Sequence, residues 1–339
     1  MAAGNTGGTS DVGGGMRGAL DDYYALKDIN ESADADRKVA EQPSIVSRYY
    51  DVVTSFYEYA WGSSFHFSPR RQGEGLKTSQ ERHERGVGDL LNLKPGMRVA
   101  DVGCGIGGPL VTIGKATGAS IVGLNFNKYQ IERGEKLVRK AGLEGTCSFE
   151  YANFMDVPLP DGHFDALYSF EAICHAPETQ RLFRELHRLV KPGGEMAAID
   201  WCLTERFDEG DARHRDIRDR IEHGNGTPDL LTTQQQLDAV KSAGFEILSA
   251  TDQAAEGDPR TPWYMALQGR DVSLASLARV PAGRRFTAGL TGVLEKVGIA
   301  PNGTGEAAEL LNIAADSLVE GGEMGIFTPS FLVHARKPA

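Results

Sequence analysis

Three stretches of the chain bring reactive residue types together at usable spacings. The first, Asp101-Val102-Gly103-Cys104-Gly105-Ile106-Gly107-Gly108-Pro109, sets a carboxylate ahead of a glycine-rich turn. Glycines let the main chain pass close to a ligand in dihedrals that other residues avoid. The second is Glu171 and His175. Four positions apart, they share one face if the segment starts a helix, where such a pair can share and relay a proton. The third is Tyr57–Phe67, YEYAWGSSFHF, in which Tyr57, Tyr59, Trp61, Phe65 and Phe67 alternate with Glu58 and His66. Aromatic faces stabilise a nearby cation by about 0.5–2 kcal/mol, and His66 is a second candidate base.

The elements that must position these residues follow from the apolar pattern. MRVADVG reads as a strand running directly into the glycine turn, residues 109–117 as a helix, SIVGLNF as a second strand, and KYQIERGEKLVRKAG as a helix stopped by Gly142. CSFEYANF, HFDALYSF and GGEMAAIDWCL supply three more strands. The helix TQRLFRELHRLV precedes the last of them, behind a KPGG turn at 191–194. QQLDAVKSAGFEIL adds a helix and a strand, and EMGIFTPSFLVHARKP a final strand. Strands and helices alternating in this way build a doubly wound, mostly parallel α/β sheet, whose ligands lie at the carboxyl ends of the strands. Four regions result. Residues 1–20 are a glycine-rich disordered tail, 21–92 an N-terminal helical and aromatic segment, 93–254 the α/β core with a polar insertion at 205–232, and 255–339 a helical cap with the last strand. Within 68–90, Glu81, Arg82, Glu84 and Arg85 are expected on a solvated helix face.

Composition narrows the function classes. With 339 residues and 40% hydrophobic content, the chain can bury a full core without disulfides. A net charge of −11 disfavours a broad electrostatic grip on nucleic acid or anionic lipid. Cys104, Cys147, Cys174 and Cys202 form no CxxC pair and read as reduced thiols of an intracellular protein. The eight histidines show no metal-binding spacing, so no metal is expected. Neither a secretory signal nor an apolar run of membrane-spanning length appears. A cytoplasmic location is expected, peripheral to an intracellular membrane at most. Segment 273–300, with Arg279, Arg284 and Arg285 among small apolar residues, reads either as a membrane-surface contact or as a helical lid.

A dinucleotide fold wants GxGxxG and an acidic residue about 20 positions on. This chain has GxGxGG, the acidic residue before the first glycine, and Asn125 at the end of the next strand. That pattern resembles the S-adenosylmethionine (SAM) methyltransferases, in which the acidic residue helps position the methionine amino end. The resemblance implies Asp101, Gly103, Cys104, Gly105, Gly107 and Glu171 as cofactor contacts. Asn125 and Gln130 would bond the ribose and Asn153 would face the adenine, with Phe154 a further cofactor contact. Further motifs are more specific. YEYAWGSSFHF resembles the aromatic sterol-binding motif of the sterol 24-C-methyltransferases, DVGCGIGGP their SAM loop, and EAICHAP (171–177) their third motif. IEHGNGTPD (221–229), Pro262-Trp263-Tyr264 and IFTPSFLVHARKP (326–338) resemble their acidic segment and C-terminal region. The matches run in order from about residue 48 to 338. Departures are Ala60 for the family's glycine, Ile173 for threonine, and Ile199-Asp200 for the Tyr-Glu of YEW.

The resemblance implies a class I SAM-methyltransferase (Rossmann-like) fold, with a seven-stranded sheet and helical insertions forming a sterol-binding cap. The activity implied is methyl transfer to the side-chain alkene of a sterol at carbon 24, through a carbocation. Glu171, His175, His66, Tyr57 and Glu58 would serve the chemistry; Tyr50, Tyr57, Tyr59, Trp61, Phe65, Phe67, Trp201 and Asp229 would line the sterol site. A homo-oligomer is a family-level expectation. The alternatives are a C-methyltransferase acting on another isoprenoid, of tocopherol or quinone type, and a lipid-binding protein that keeps the cofactor without turnover.

Overall fold

The computed structural model describes residues 61–270 and 303–339 continuously, with single positions elsewhere that include Arg17, Val46, Tyr49, Tyr50, Thr54 and Glu58. Tyr57, Tyr59, segment 273–282 and most of the expected tail and lid lie outside the described residues. Arg17, within the expected tail, pairs with Glu306 at 2.5 Å.

The core alternates strand and helix. In chain order it comprises α1 (Leu76–Leu90), β1 (Arg98–Val102), α2 (Gly108–Thr117), β2 (Ser120–Asn125), α3 (Lys128–Ala141), β3 (Cys147–Tyr151) and β4 (Phe164–Phe170). Then come α4 (Thr179–Leu189), β5 (Val190–Leu203), α5 (Ala212–Asn225), α6 (Thr233–Ser242), β6 (Glu246–Asp252), α7 (Thr304–Met324) and β7 (Phe327–Arg336). The strands form one seven-stranded sheet in the order β3-β2-β1-β4-β5-β7-β6. β1 to β5 pair in parallel, whereas β7 runs antiparallel between β5 and β6.

Side chains on successive strand positions point to opposite faces, and here both faces are apolar. Leu167 and Ala198 pack on one face with Leu182, Phe183 and Leu186 of α4 and Val240 of α6. Tyr168 and Ile199, one residue on, pack on the other with Val87 of α1 and Leu110 and Ile113 of α2. In α4 the buried residues Leu182, Phe183, Leu186 and Leu189 make the stripe that a 3.6-residue period dictates. α3 ends at Gly142 in the left-handed conformation, as its sequence predicts.

Four details depart from the sequence reading. The KPGG stretch lies within β5, which begins at Val190. The polar insertion holds α5, because Ile217 and Ile221, one turn apart, give it a buried edge. Glu323 and Met324 end α7, and Gly325 at φ +68 separates them from β7. Glu84 is fully buried, not solvated: Gln80, Glu84 and Val87 share the inward face of α1, so its sequence neighbours' charges misplaced it.

Candidate active site

A cavity opens at the carboxyl ends of β1, β2 and β4. Its floor is the turn after β1. Gly103 (φ +70), Gly105 (φ +53) and Gly107 (φ +80) all occupy left-handed backbone. A Cβ on Gly103 would sit 2.3 Å from Cβ of Ala172, so only glycine lets the turn pass the start of the 171–177 segment. Among the described residues, a Cβ on Gly105 would meet only Phe65, at 3.7 Å.

Behind the turn, Asp101 is buried and accepts a hydrogen bond from the Tyr168 hydroxyl at 3.1 Å. Burial pushes its carboxyl up to about 8, with the Tyr168 bond opposing. Asn125 donates to the Gly105 carbonyl (3.0 Å) and to Gln130 Oε1 (2.9 Å), and Gln130 Nε2 donates to the Thr54 hydroxyl (3.1 Å). Asn127 Oδ1 caps α3 by accepting from Gln130 N–H at 2.9 Å. Phe126 and Phe154, edge to face at 6.1 Å, give the cavity an apolar wall.

The opposite wall holds Glu171 and His175. Glu171 sits at φ +51, just before a short 3-10 turn, Ile173–His175. The expected helical i,i+4 face therefore does not form, because the left-handed residue breaks the period. Glu171 instead accepts from Phe67 N–H on Oε1 (2.5 Å) and from the Trp201 indole N–H on Oε2 (2.7 Å). Burial pushes its carboxyl up to about 8, against the pull of His66 and these two donors. His175 Nε2 lies 2.9 Å from the Tyr50 hydroxyl, and burial lowers the imidazole to about 4, leaving it neutral. Both residues face the cavity, each held by different partners.

Asp200 fixes this wall. It is fully buried and accepts from Ile173 N–H (2.5 Å) and Cys174 N–H (3.1 Å), tying the 3-10 turn to β5. Burial raises its carboxyl to about 6, with those N–H groups and Trp201 N–H opposing.

α1 clamps the aromatic segment in place. Gln80 Nε2 donates to the Ser64 and His66 carbonyls (2.7 and 2.9 Å), the Ser68 and Ser79 hydroxyls meet at 2.7 Å, and Glu84 Oε1 bonds His66 Nε2 at 2.9 Å. Phe65 and His66 consequently line the cavity. Phe67 turns away and packs edge-on against Trp61 (4.8 Å) and Trp263 (4.9 Å), with Trp201 at 6.4 Å. All three tryptophans of the chain meet at this one phenylalanine.

The cavity thus gathers Tyr50, Phe65, His66, Asp101, Gly103, Cys104, Gly105, Asn125, Gln130, Phe154, Glu171 and His175. Other expected residues stand outside its lining. Gly107 caps α2, Asn153 Oδ1 accepts from Met155 N–H, and Glu58 pairs with Arg133 at 2.5 Å. Trp201 and Phe67 reach the site through Glu171; Trp61 touches Phe67; Asp229 is exposed beyond α5. Asp200, Glu84, Tyr168, Phe126 and Thr54 were not singled out as site residues from the sequence. Two left a signal there: Glu84 through the helical spacing of Gln80, Glu84, Val87 and Leu91, and Asp200 through its place in the IDW stretch.

Residues 100–198 match a methyltransferase domain, and residues 275–339 match the sterol methyltransferase C-terminal model. Cycloartenol-C-24-methyltransferase 1 of Oryza sativa subsp. japonica is 46% identical over 95% of this chain and 93% of its own length. The sterol 24-C-methyltransferase of Yarrowia lipolytica is 40% identical over 91% of this chain and 82% of its own. The chain belongs to the sterol 24-C-methyltransferases. Among solved structures, the cyclopropane synthase MmaA2 of Mycobacterium tuberculosis shares the fold, with a TM-score of 0.67 at 15% identity over 86% of this chain and 97% of that one. The [4+2]-cyclase SpnF does so with a TM-score of 0.65 at 22% identity over 87% and 95%.

As a sterol 24-C-methyltransferase, the protein uses S-adenosylmethionine, and the cavity suits it. The turn's glycines leave room for a ligand against the main chain, where a Cβ on Gly105 would enter the cavity. The Asp101 carboxyl lines the same cavity behind them. No described helix is long and apolar enough to cross a membrane.

Proposed function

We propose that the protein transfers a methyl group from S-adenosylmethionine to the side-chain alkene of a sterol at carbon 24, giving a 24-alkylated sterol. The observation that carries this reading is the placement of Glu171. One buried carboxyl lies on the cofactor cavity and is tied through Phe67 and Trp201 to the aromatic cluster.

S-adenosylmethionine supplies an electrophilic methyl group when bound. Asp101 would receive its ammonium end, Asn125 and Gln130 its ribose, and Phe126 and Phe154 its base. An isolated alkene is a poor nucleophile, so the chain's main task is in-line positioning, worth up to ~7–11 kcal/mol. Attack through carbon 24 leaves a tertiary cation at carbon 25, a hydride shift moves that charge, and loss of a proton closes the sequence. Phe65 and Tyr50 offer aromatic faces on the cavity. Tyr57 and Tyr59 are assigned to the same wall from the motif alone. Glu171 takes the proton, and the Tyr50–His175 pair shields that wall from water. The sterol's 3-hydroxyl is assigned to Asp229, and segment 273–300 to a peripheral membrane contact through which a water-insoluble substrate enters.

Incubation with S-adenosylmethionine and a sterol bearing a side-chain alkene at carbon 24 tests the reading. A mass gain of one methylene, with the new carbon on carbon 24, is expected. Donor binding without any gain across several such sterols would overturn it, in favour of another isoprenoid acceptor or a binding protein.

A further inference from the structure

His66 sits among buried titratable side chains. Its Nδ1 lies 2.7 Å from the Phe67 carbonyl oxygen and its Nε2 lies 2.9 Å from Glu84 Oε1. A carbonyl only accepts hydrogen bonds, and so does an ionised carboxylate. A neutral imidazole carries one N–H, so one nitrogen would face its acceptor lone pair to lone pair. The imidazolium satisfies both.

We infer that Glu84 is a positioning residue for the methyl-transfer reaction, holding His66 as a doubly protonated imidazolium and leaving Glu171 to accept the proton. This rests on the reading of the site given above.

The surroundings support that charge state. His66 is 2% exposed and Glu84 0%, and a buried charge persists only when paired. Among the described residues, four titratable groups face the ring: Glu84 and His83 from α1, Asp101 from β1, and Glu171 from the end of β4. His83, at 5.7 Å between ring centroids, is kept neutral at about 4 by burial and by the His66 charge. Phe170 stacks on the ring at 4.6 Å and excludes water. Burial alone would lower the His66 pKa; the bond and charge of Glu84, then the charge of Glu171, more than reverse this. Glu84 is lowered, burial being outweighed by the His66 bond and charge.

The pair acts on Glu171 in two ways. Mechanically, Phe67 accepts from His66 through its carbonyl and donates to Glu171 through its N–H, so the ring fixes the residue that orients the carboxyl. Electrostatically, the imidazolium favours the carboxylate form of Glu171 against burial and the neighbouring Asp200.

The first measurement is nitrogen NMR of the unmodified protein labelled with ¹⁵N-histidine, with His66→Gln identifying the signal. Both ring nitrogens of His66 are expected to carry protons at neutral pH; one unprotonated nitrogen overturns the inference. Glu84→Gln should give a singly protonated His66. It should also move the acid limb of kcat/KM up by about one pH unit, lower kcat more than it changes KM, and be partly rescued by Glu84→Asp. An unmoved limb in a folded Glu84→Gln protein overturns the inference as well. If that variant does not fold, the spectrum of the unmodified chain decides. Should His66 prove doubly protonated in a protein that methylates no sterol, the pair stands and the assigned activity falls.

Discussion

Trp201 donates its indole N–H to Oε2 of Glu171 over 2.7 Å, joining β5 of the sheet to the carboxyl on the cavity. The indole also packs edge-on against Phe327 at 5.4 Å, so its orientation is set by apolar contact and its N–H aimed as a consequence. Trp201→Phe keeps most of that packing and removes the donor. A hydrogen bond to a charged group contributes about 1.5–3 kcal/mol. Turnover should therefore fall about ten- to hundredfold, with little change in S-adenosylmethionine affinity measured by calorimetry.

Glu171→Gln should keep cofactor affinity and lose most turnover; near-normal turnover would remove Glu171 from the mechanism. The pH dependence follows from the same group. Burial holds the carboxyl up to about 8, so at lower pH it carries the proton it must be free to accept. The value of kcat/KM should rise with pH and level off above about 8, as a base tuned near the working pH requires. A flat profile across neutral pH would argue against a carboxylate base.

With Asp101 receiving the ammonium end as proposed, cofactor binding would be linked to protons. Its carboxyl, ordinarily at 3.8, is raised by burial to about 8 in the folded chain. Between those values the native state holds a proton that the unfolded chain has released. Stability of the cofactor-free protein therefore falls as pH rises through that window, and Glu171 adds in the same direction. Thermal melts of Asp101→Asn against pH should show a shallower slope. An ammonium group placed beside Asp101 favours the carboxylate, so S-adenosylmethionine should release protons on binding near neutral pH. Calorimetry in buffers of different ionisation heat reads that release directly.

The sheet was legible because its information is local. Gly142 stops α3, Leu182–Leu189 repeat at helical spacing, and the glycine turn follows an apolar run. That Asp101, Gly103 and Gly105 line one cavity was legible for the same reason, since they are neighbours in the chain. What sequence spacing hid was pairing across the fold. Glu84 meets His66 only when α1 folds back on the aromatic segment, and Glu171 meets Trp201 only when β4 and β5 lie side by side. The i,i+4 reading of Glu171 and His175 failed on one dihedral, the positive φ of Glu171.

Asp200 gives the sharpest test of how the site is tuned, because its expected effect has a definite sign. Its carboxylate holds Ile173 and Cys174 N–H, and its charge also opposes ionisation of Glu171. Asp200→Ala leaves both buried N–H groups unpaired, at about 1–3 kcal/mol each, and should lower the melting temperature clearly. Asp200→Asn keeps one accepting oxygen and removes the charge, so it should melt closer to the parent. With that charge gone, Glu171 ionises more readily and the acid limb of kcat/KM should move to lower pH. Glu84→Gln moves it to higher pH, because there the charge lost is the one that helps Glu171 ionise. Opposite displacements in the two variants, read from kcat/KM against pH, would place Glu171 as the titrating group between them; displacement in the same direction would exclude it.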